Sequence, residues 1–231
     1  MSNIENIRVS IDPGHLQRLV PFMAVHDIRY YLNGVCVEKA ETGGIYLIAT
    51  DGHTMGVIHD ATGTIEGADS VIFRVGPGLA PATKVASNKL HRGIKYRLLV
   101  QGQRVKIACD FGSEGDAELF VQAGRSLIEG KFPNWRKVVP DFAKLKPGFG
   151  DCMNAHYLAR LAKIATDKRF QGISLWQAEP EKAIVARVPR VPEMVIVFMP
   201  MRDSVRDPLL AFKGFPLEQP KEEMLPELES A

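Results

Sequence analysis

Three times along the 231 residues the pattern runs strand, helix, strand, strand, strand, and this recurrence constrains the fold more than any other feature. Residues 7–11 alternate and stop at Asp12-Pro13-Gly14. Asp12 can cap a helix there, and Pro13 sits in a first turn where its missing N–H costs nothing. Residues 15–22 read as a short helix burying Leu16, Leu19 and Val20, followed by strands over 29–38, 44–50 and 55–59. The second copy has a strand at 71–75, a helix over 76–87 weakened by Pro77, Gly78 and Pro81, and strands over 96–100, 104–109 and 118–123. A third begins near Gly148, with a helix over 154–167 and strands over 173–177, 183–188 and 194–199. Units of about 50–75 residues fall in the range of repeat architectures. They can pair sheets edge to edge and pack helices on one face, giving an α+β fold.

At 100° per residue, Leu158, Leu161, Ala162 and Ala165 form one stripe of the third helix, with His156, Arg160, Lys163 and Asp167 opposite. The second helix region carries Lys84, Lys89, His91 and Arg92, and the first carries His15 and Arg18. Such basic faces can track phosphate without reading bases, and they equally suit ordinary solvated helix faces. Lys and Arg total 29 against 27 Asp and Glu, so the net charge of +2 does not decide between the two.

Chemistry-bearing motifs are absent. No G-x-x-x-x-G-K-[ST] or G-x-G-x-x-G loop, H-E-x-x-H pair or G-x-S-x-G elbow occurs. Asp51-Gly52-His53 lacks a nucleophile, and Glu114-Gly115-Asp116 reads as a polar turn. Cys36, Cys109 and Cys152 form no C-x-x-C pair and no zinc spacing with the six histidines, so they read as reduced small hydrophobes. The expectation is a protein with no enzymatic activity, metal or cofactor. With 45% hydrophobic and 24% charged residues the chain is ordinary for a globular protein. It has no apolar run of membrane-spanning length and no signal-peptide core, which predicts a cytoplasmic location.

Four ordered blocks carry a resemblance. Asp27-Ile28-Arg29-Tyr30-Tyr31-Leu32-Asn33-Gly34 followed by Ala49-Thr50-Asp51-Gly52-His53 resembles the central domain of the bacterial sliding clamp, the DNA polymerase III β subunit. Residues 129–140, Glu-Gly-Lys-Phe-Pro-Asn-Trp-Arg-Lys-Val-Val-Pro, resemble the passage from that domain to the last one. Lys168-Arg169-Phe170-Gln171-Gly172-Ile173 is similar to an early stretch of the last domain, and Val197-Phe198-Met199-Pro200-Met201-Arg202 to the end of the clamp chain. The resemblance spans residues 7–202. It implies a DNA-clamp fold divided into a central-type domain of two units at 1–140 and part of a C-terminal-type domain at 141–202. Residues 203–231, with four prolines, five glutamates and no sustained period, read as a flexible tail.

The family's rings contain six domains of two units each, with helices lining a channel around duplex DNA. The resemblance therefore implies a homo-oligomeric, DNA-binding processivity factor for a polymerase, served by a clamp loader. Tyr30 and Tyr31 match a pair that lies near DNA in the family. With Arg18, Arg29, Lys84, Lys89, Arg160 and Lys163 they are the DNA-facing candidates. The resemblance also implies a pocket for short peptides of polymerases and other clamp-binding proteins. By motif it is lined by Leu32, Thr50, Gly52, His53, Met55, Pro133, Lys137, Val138, Val197, Phe198, Met199, Pro200, Met201 and Arg202. Methionine and aliphatic side chains make an adaptable apolar slot, and Lys137 and Arg202 offer cations at its rim.

Departures accompany the matches. The family's Arg-Leu after Gly-His is Thr54-Met55 here, which removes a cation from the pocket. Nothing matches the first domain or about half of the last. Twelve units would require four chains, and a third unit without a partner leaves an open edge. The alternative to a ring is a non-encircling protein that competes for clamp-binding proteins through the pocket. In the tail, Asp207-Pro208-Leu209-Leu210-Ala211-Phe212 has the spacing of the family's Q-x-x-L-x-F peptides with Asp in place of Gln, so Asp207, Leu210 and Phe212 are candidates for occupying the chain's own pocket or a neighbour's.

Overall fold

The computed structural model describes residues 4–87, 96–109, 118–122, 124–148 and 153–201. Two antiparallel sheets organise these residues. The first unit contributes β1 (Arg8–Ile11), α1 (Pro13–Leu19), β2 (Gly34–Lys39), β3 (Ile45–Thr50) and β4 (Thr54–Asp60). After the short β5 (Thr64–Glu66), the second contributes β6 (Ser70–Arg74), α2 (Leu79–Ala86), β7 (Tyr96–Gln101), β8 (Arg104–Cys109) and β9 (Glu118–Gln122). Beyond β10 (Leu127–Ile128) come β11 (Lys146–Pro147), α3 (Ala155–Ile164), β12 (Ser174–Gln177), β13 (Ile184–Arg187) and β14 (Met194–Phe198).

The strand order is β5-β1-β7-β8-β9 in one sheet and β10-β6-β2-β3-β4-β14-β13-β12-β11 in the other. The first two units thus exchange their leading strands. β1 leaves its own β2–β4 to pair with β7, and β6 pairs back onto β2. The third unit extends the same sheet by pairing β14 with β4.

Asp12 caps α1 as expected, its carboxylate accepting from the Gly14 N–H at 2.8 Å. Pro21, lacking an N–H, ends the regular helix in a 3-10 turn over Val20–Phe22. The expected strand over 29–38 starts only at Gly34. Residues 27–33 instead close on themselves, since Asn33 Oδ1 accepts from the Asp27 N–H at 2.9 Å and its amide donates to the Asp27 carbonyl at 2.8 Å. Tyr30 and Tyr31 lie in the resulting 3-10 turn rather than in a strand.

The main core lies between the sheets and the helices, with Phe22, Phe73, Leu79 and Phe198 wholly buried. The outer face of the nine-stranded sheet carries a second cluster that includes Cys36, Ile48, Met55, Ile72 and Val197. Residues 129–139 cross that face as a strap, and Phe132, Trp135 and Val139 pack on it.

The third helix corrects the sequence expectation. Leu161 and Ile164 are buried, but Leu158 is 44% exposed and Ala162 faces solvent. The helix is rotated so that Arg160 points inward. Tyr157, Leu161 and Ile164 pack into the main core on that side, and an ion pair with Asp51 at 2.6 Å gives the half-buried guanidinium a charged partner.

Candidate functional site

An open slot lies where β14 meets β4 beneath the strap. Its volume is about 210 Å³. Its floor is a cross-strand row in which Met55 stands opposite both Thr50 and Val197. Strand alternation then decides which neighbours enter. Val197 and Met199 turn outward into the slot, while Ile196 and Phe198 turn into the main core. Leu32, Tyr31 and Arg29 close one side, and Phe132, Pro133, Asn134, Trp135 and Val138 of the strap close the other.

The turn over 50–54 forms the remaining wall. Asp51 Oδ1 accepts from the backbone N–H of His53 at 2.9 Å and of Thr54 at 2.8 Å, and from the Thr54 hydroxyl at 3.1 Å. Thr50 Oγ1 accepts from the Gly52 N–H at 3.0 Å. Gly52 has φ +90°, the left-handed region that favours glycine, and the end of the flexible Arg29 side chain lies against its Cα. The Met199 N–H donates to the His53 carbonyl at 2.9 Å, tying the end of β14 to the same turn.

Arg29 is the cation at the slot's edge. It bonds the Asp27 carboxylate at 2.7 and 3.0 Å and the Asp51 carbonyl at 3.2 Å. The side-chain and backbone hydrogen bonds from Arg29 hold Asp27 down to about 2. The slot therefore offers an apolar trough with a fixed guanidinium at one end. That arrangement suits an extended peptide with apolar anchors and an acceptor group. Among the described residues no group of three or more His, Cys, Asp or Glu could hold a metal.

No family model matches the sequence. The beta sliding clamp of Escherichia coli strain K12 is 28% identical over 177 residues, covering 74% of this chain and 43% of the clamp. That of Vibrio cholerae is 26% identical over 227 residues, covering 94% of this chain and 54% of the clamp. Among solved structures, the Caulobacter crescentus beta sliding clamp superposes with a TM-score of 0.57 at 20% identity, over 88% of this chain and 67% of that one. A Pseudomonas aeruginosa DNA polymerase sliding clamp gives 0.55 at 18% identity, over 85% and 66%. The chain has the sliding-clamp fold. It spans about half the length of the curated clamps it matches or less.

The slot of this clamp-like chain gathers nine of the residues that the sequence resemblance assigned to a pocket: Leu32, Thr50, Gly52, His53, Met55, Pro133, Val138, Val197 and Met199. Four others fall outside its lining. Phe198 is wholly buried and packs on Phe22 and Tyr157, because its strand parity is opposite to that of Val197. Lys137 is turned to solvent by the 3-10 turn over Trp135–Val138. Pro200 and Met201 lie past the end of β14, and Met201 is 48% exposed. Arg202, Lys89 and the tail residues Asp207, Leu210 and Phe212 lie outside the described residues.

Sequence reasoning missed Thr54, Phe132, Asn134 and Trp135 as lining residues, and it placed Arg29 and Tyr31 toward DNA instead. The aromatic pair three apart around Pro133 was the available signal for the strap. Of the other DNA-facing candidates, Lys84 and Lys163 are exposed and Tyr30 is 57% exposed. Arg18 bonds Glu193 at 2.7 Å, and Arg160 is held by Asp51.

Proposed function

We propose that this chain is a clamp-like DNA replication protein, without catalysis of its own, that holds peptide segments of DNA polymerases and other clamp-binding proteins in the slot. The observation that carries this reading is the convergence of eight residues from three separated sequence blocks, with Met55 beside them, on one open apolar trough edged by Arg29. Its direct test is fluorescence anisotropy with a labelled hexapeptide, Gln-Ala-Ser-Leu-Ala-Phe. Saturable micromolar binding that Val138→Glu abolishes is expected. Binding that Val138→Glu leaves unchanged would refute the assignment.

In its fullest form the protein is a processivity factor surrounding duplex DNA, with residues 1–140 as a central-type domain and 141–202 as part of a C-terminal-type domain. Three units per chain then demand four chains of 25.6 kDa for a ring of twelve. Light scattering near 100 kDa fits that form. A second reading, a non-encircling competitor for clamp-binding proteins, is favoured by the pairing of Arg18, Arg29 and Arg160 with carboxylates of the same chain. A solution mass of one or two chains fits that second reading.

A further inference from the structure

The wall of the slot formed by the turn over 50–54 is not held by its own unit alone. Arg160, on α3 of the third unit and 109 residues away, donates from Nη1 to Asp51 Oδ2 at 2.6 Å. The same nitrogen donates to Thr54 Oγ1, whose own hydroxyl hydrogen goes to Asp51 Oδ1. The three groups close a polar cluster in which Thr54 is buried at 1% exposure. No buried side-chain N or O among the described residues lacks a hydrogen-bond partner, and removing the guanidinium would take away the donor that Asp51 Oδ2 and the buried Thr54 Oγ1 share.

Arg160 is itself positioned. Its guanidinium lies 5.5 Å from the Tyr157 ring, and that ring stacks on Phe198 at 5.8 Å with planes 13° apart. Phe198 immediately precedes Met199, which lines the slot and is bonded to His53. Helix α3 therefore reaches the slot by two routes. One is polar, through Arg160 to Asp51 and Thr54, and the other runs through stacked rings to the end of β14.

We propose that Arg160 is a positioning residue that couples occupancy of the slot to the seating of α3. A peptide that fits the slot needs the turn over 50–54 in its Arg160-bound form, and so it also holds α3 against the body. By reciprocity, a partner that draws α3 away weakens the peptide by the same factor. This inference rests on the slot being a peptide site. It explains how a pocket with Thr54 in place of a cation keeps its wall, since the guanidinium arrives from another unit.

The test uses the full chain, the Gln-Ala-Ser-Leu-Ala-Phe probe, and the variants Arg160→Met and Arg160→Lys, with Leu158→Ala as a control on the exposed side of α3. Two quantities are read, probe affinity and amide hydrogen exchange with and without probe. In the wild type the probe should slow exchange in α3 at least fivefold. Arg160→Met should weaken the probe about tenfold and abolish that protection, Arg160→Lys should recover part of both, and Leu158→Ala should change neither. Without probe, Arg160→Met should speed exchange at residues 52–55 while leaving β2 and β3 unchanged. Wild-type affinity and α3 protection retained in Arg160→Met would overturn the proposal. Failure of the wild type to bind the probe would refute the peptide-site reading instead. The probe-free arm then decides the tie by itself, and unchanged exchange at 52–55 would overturn it.

Discussion

Trp135 Nε1 donates to Glu38 Oε2 at 2.9 Å, pinning the strap to the outer face of the nine-stranded sheet. The other Glu38 oxygen accepts from Arg136 at 2.6 Å, and the Arg136 guanidinium lies 4.3 Å from the Trp135 ring. One carboxylate thus orders two neighbouring side chains, and Tyr46 meets Trp135 edge-on at 5.5 Å beneath them. Because Phe132, Pro133 and Val138 flank this anchor, the strap side of the slot depends on it.

Trp135→Phe should lower stability by about 1–2 kcal/mol, the cost of a lost charge-assisted hydrogen bond and some packing. It should also weaken the probe peptide severalfold. Urea unfolding checks the first effect and anisotropy the second.

The inward turn of Arg160 makes a prediction that separates two faces of one helix. Leu161→Ala should cost about 2–4 kcal/mol, the range for a fully buried leucine. Leu158→Ala should cost about 0.5 kcal/mol or less, because the side chain already meets solvent. Equal losses in thermal or urea unfolding would mean that the apolar stripe through Leu158 is the buried one after all.

That helix also shows where sequence reading stopped. The three-unit pattern, the Asp12 cap and most strand assignments were legible because they depend on local periodicity and local hydrogen bonds, whereas the strand expected over 29–38 begins only at Gly34. Eight slot residues were legible because quoted motifs carried them, and Met55 because it follows directly on one of them. The rotation of α3 was not, since angle counting assigns Arg160 to solvent and cannot register a carboxylate 109 residues distant. Phe198 was assigned to the slot with its neighbours, although period-two alternation allows only Val197 and Met199 to share a face. The exchange of β1 and β6 between sheets is a pairing of distant strands, to which no local signal in residues 7–11 or 71–75 points.

Three buried or part-buried groups, Asp51, Asp60 and His15, contribute to the pH dependence of stability alongside Asp27. Burial works to raise Asp51, but hydrogen bonds from Arg160 and from the Thr54 and His53 N–H groups leave it below its ordinary 3.8. Burial likewise works to raise Asp60, and bonds from Asp12 and Thr62 leave it lowered. Both contributions are complete above about pH 5 and are lost as pH falls through the ordinary value toward the lower folded values. His15 behaves differently, because burial lowers it despite Asp12, Asp60 and Glu193 nearby. The unfolded chain takes up that proton near pH 6.5 while the folded one does not, so stability falls as pH drops below about 6.5 and levels once the folded histidine protonates. Urea midpoints from pH 7.5 to 3 should show both limbs. His15→Gln should flatten the upper limb and Asp51→Asn should soften the lower.

Cys36 lies on the outer face of β2 beneath the strap, with its sulfur 3.4 Å from Ser70 Oγ. Burial pushes its thiol up to about 12, against the opposing hydrogen bond from Ser70. Iodoacetamide at pH 8 should therefore leave Cys36 unmodified in the folded protein and alkylate it in urea, as read by peptide mass spectrometry. Rapid labelling in the folded state would mean that the strap opens readily.

An amide and methyl NMR titration of the full chain with the Gln-Ala-Ser-Leu-Ala-Phe peptide tests the slot itself. Saturable shifts are expected at Leu32, residues 50–55, Phe132–Val138 and Val197–Met199, with little change on β5 or β8. Shifts confined to other surfaces, or none at millimolar peptide, would contradict the slot as a peptide site.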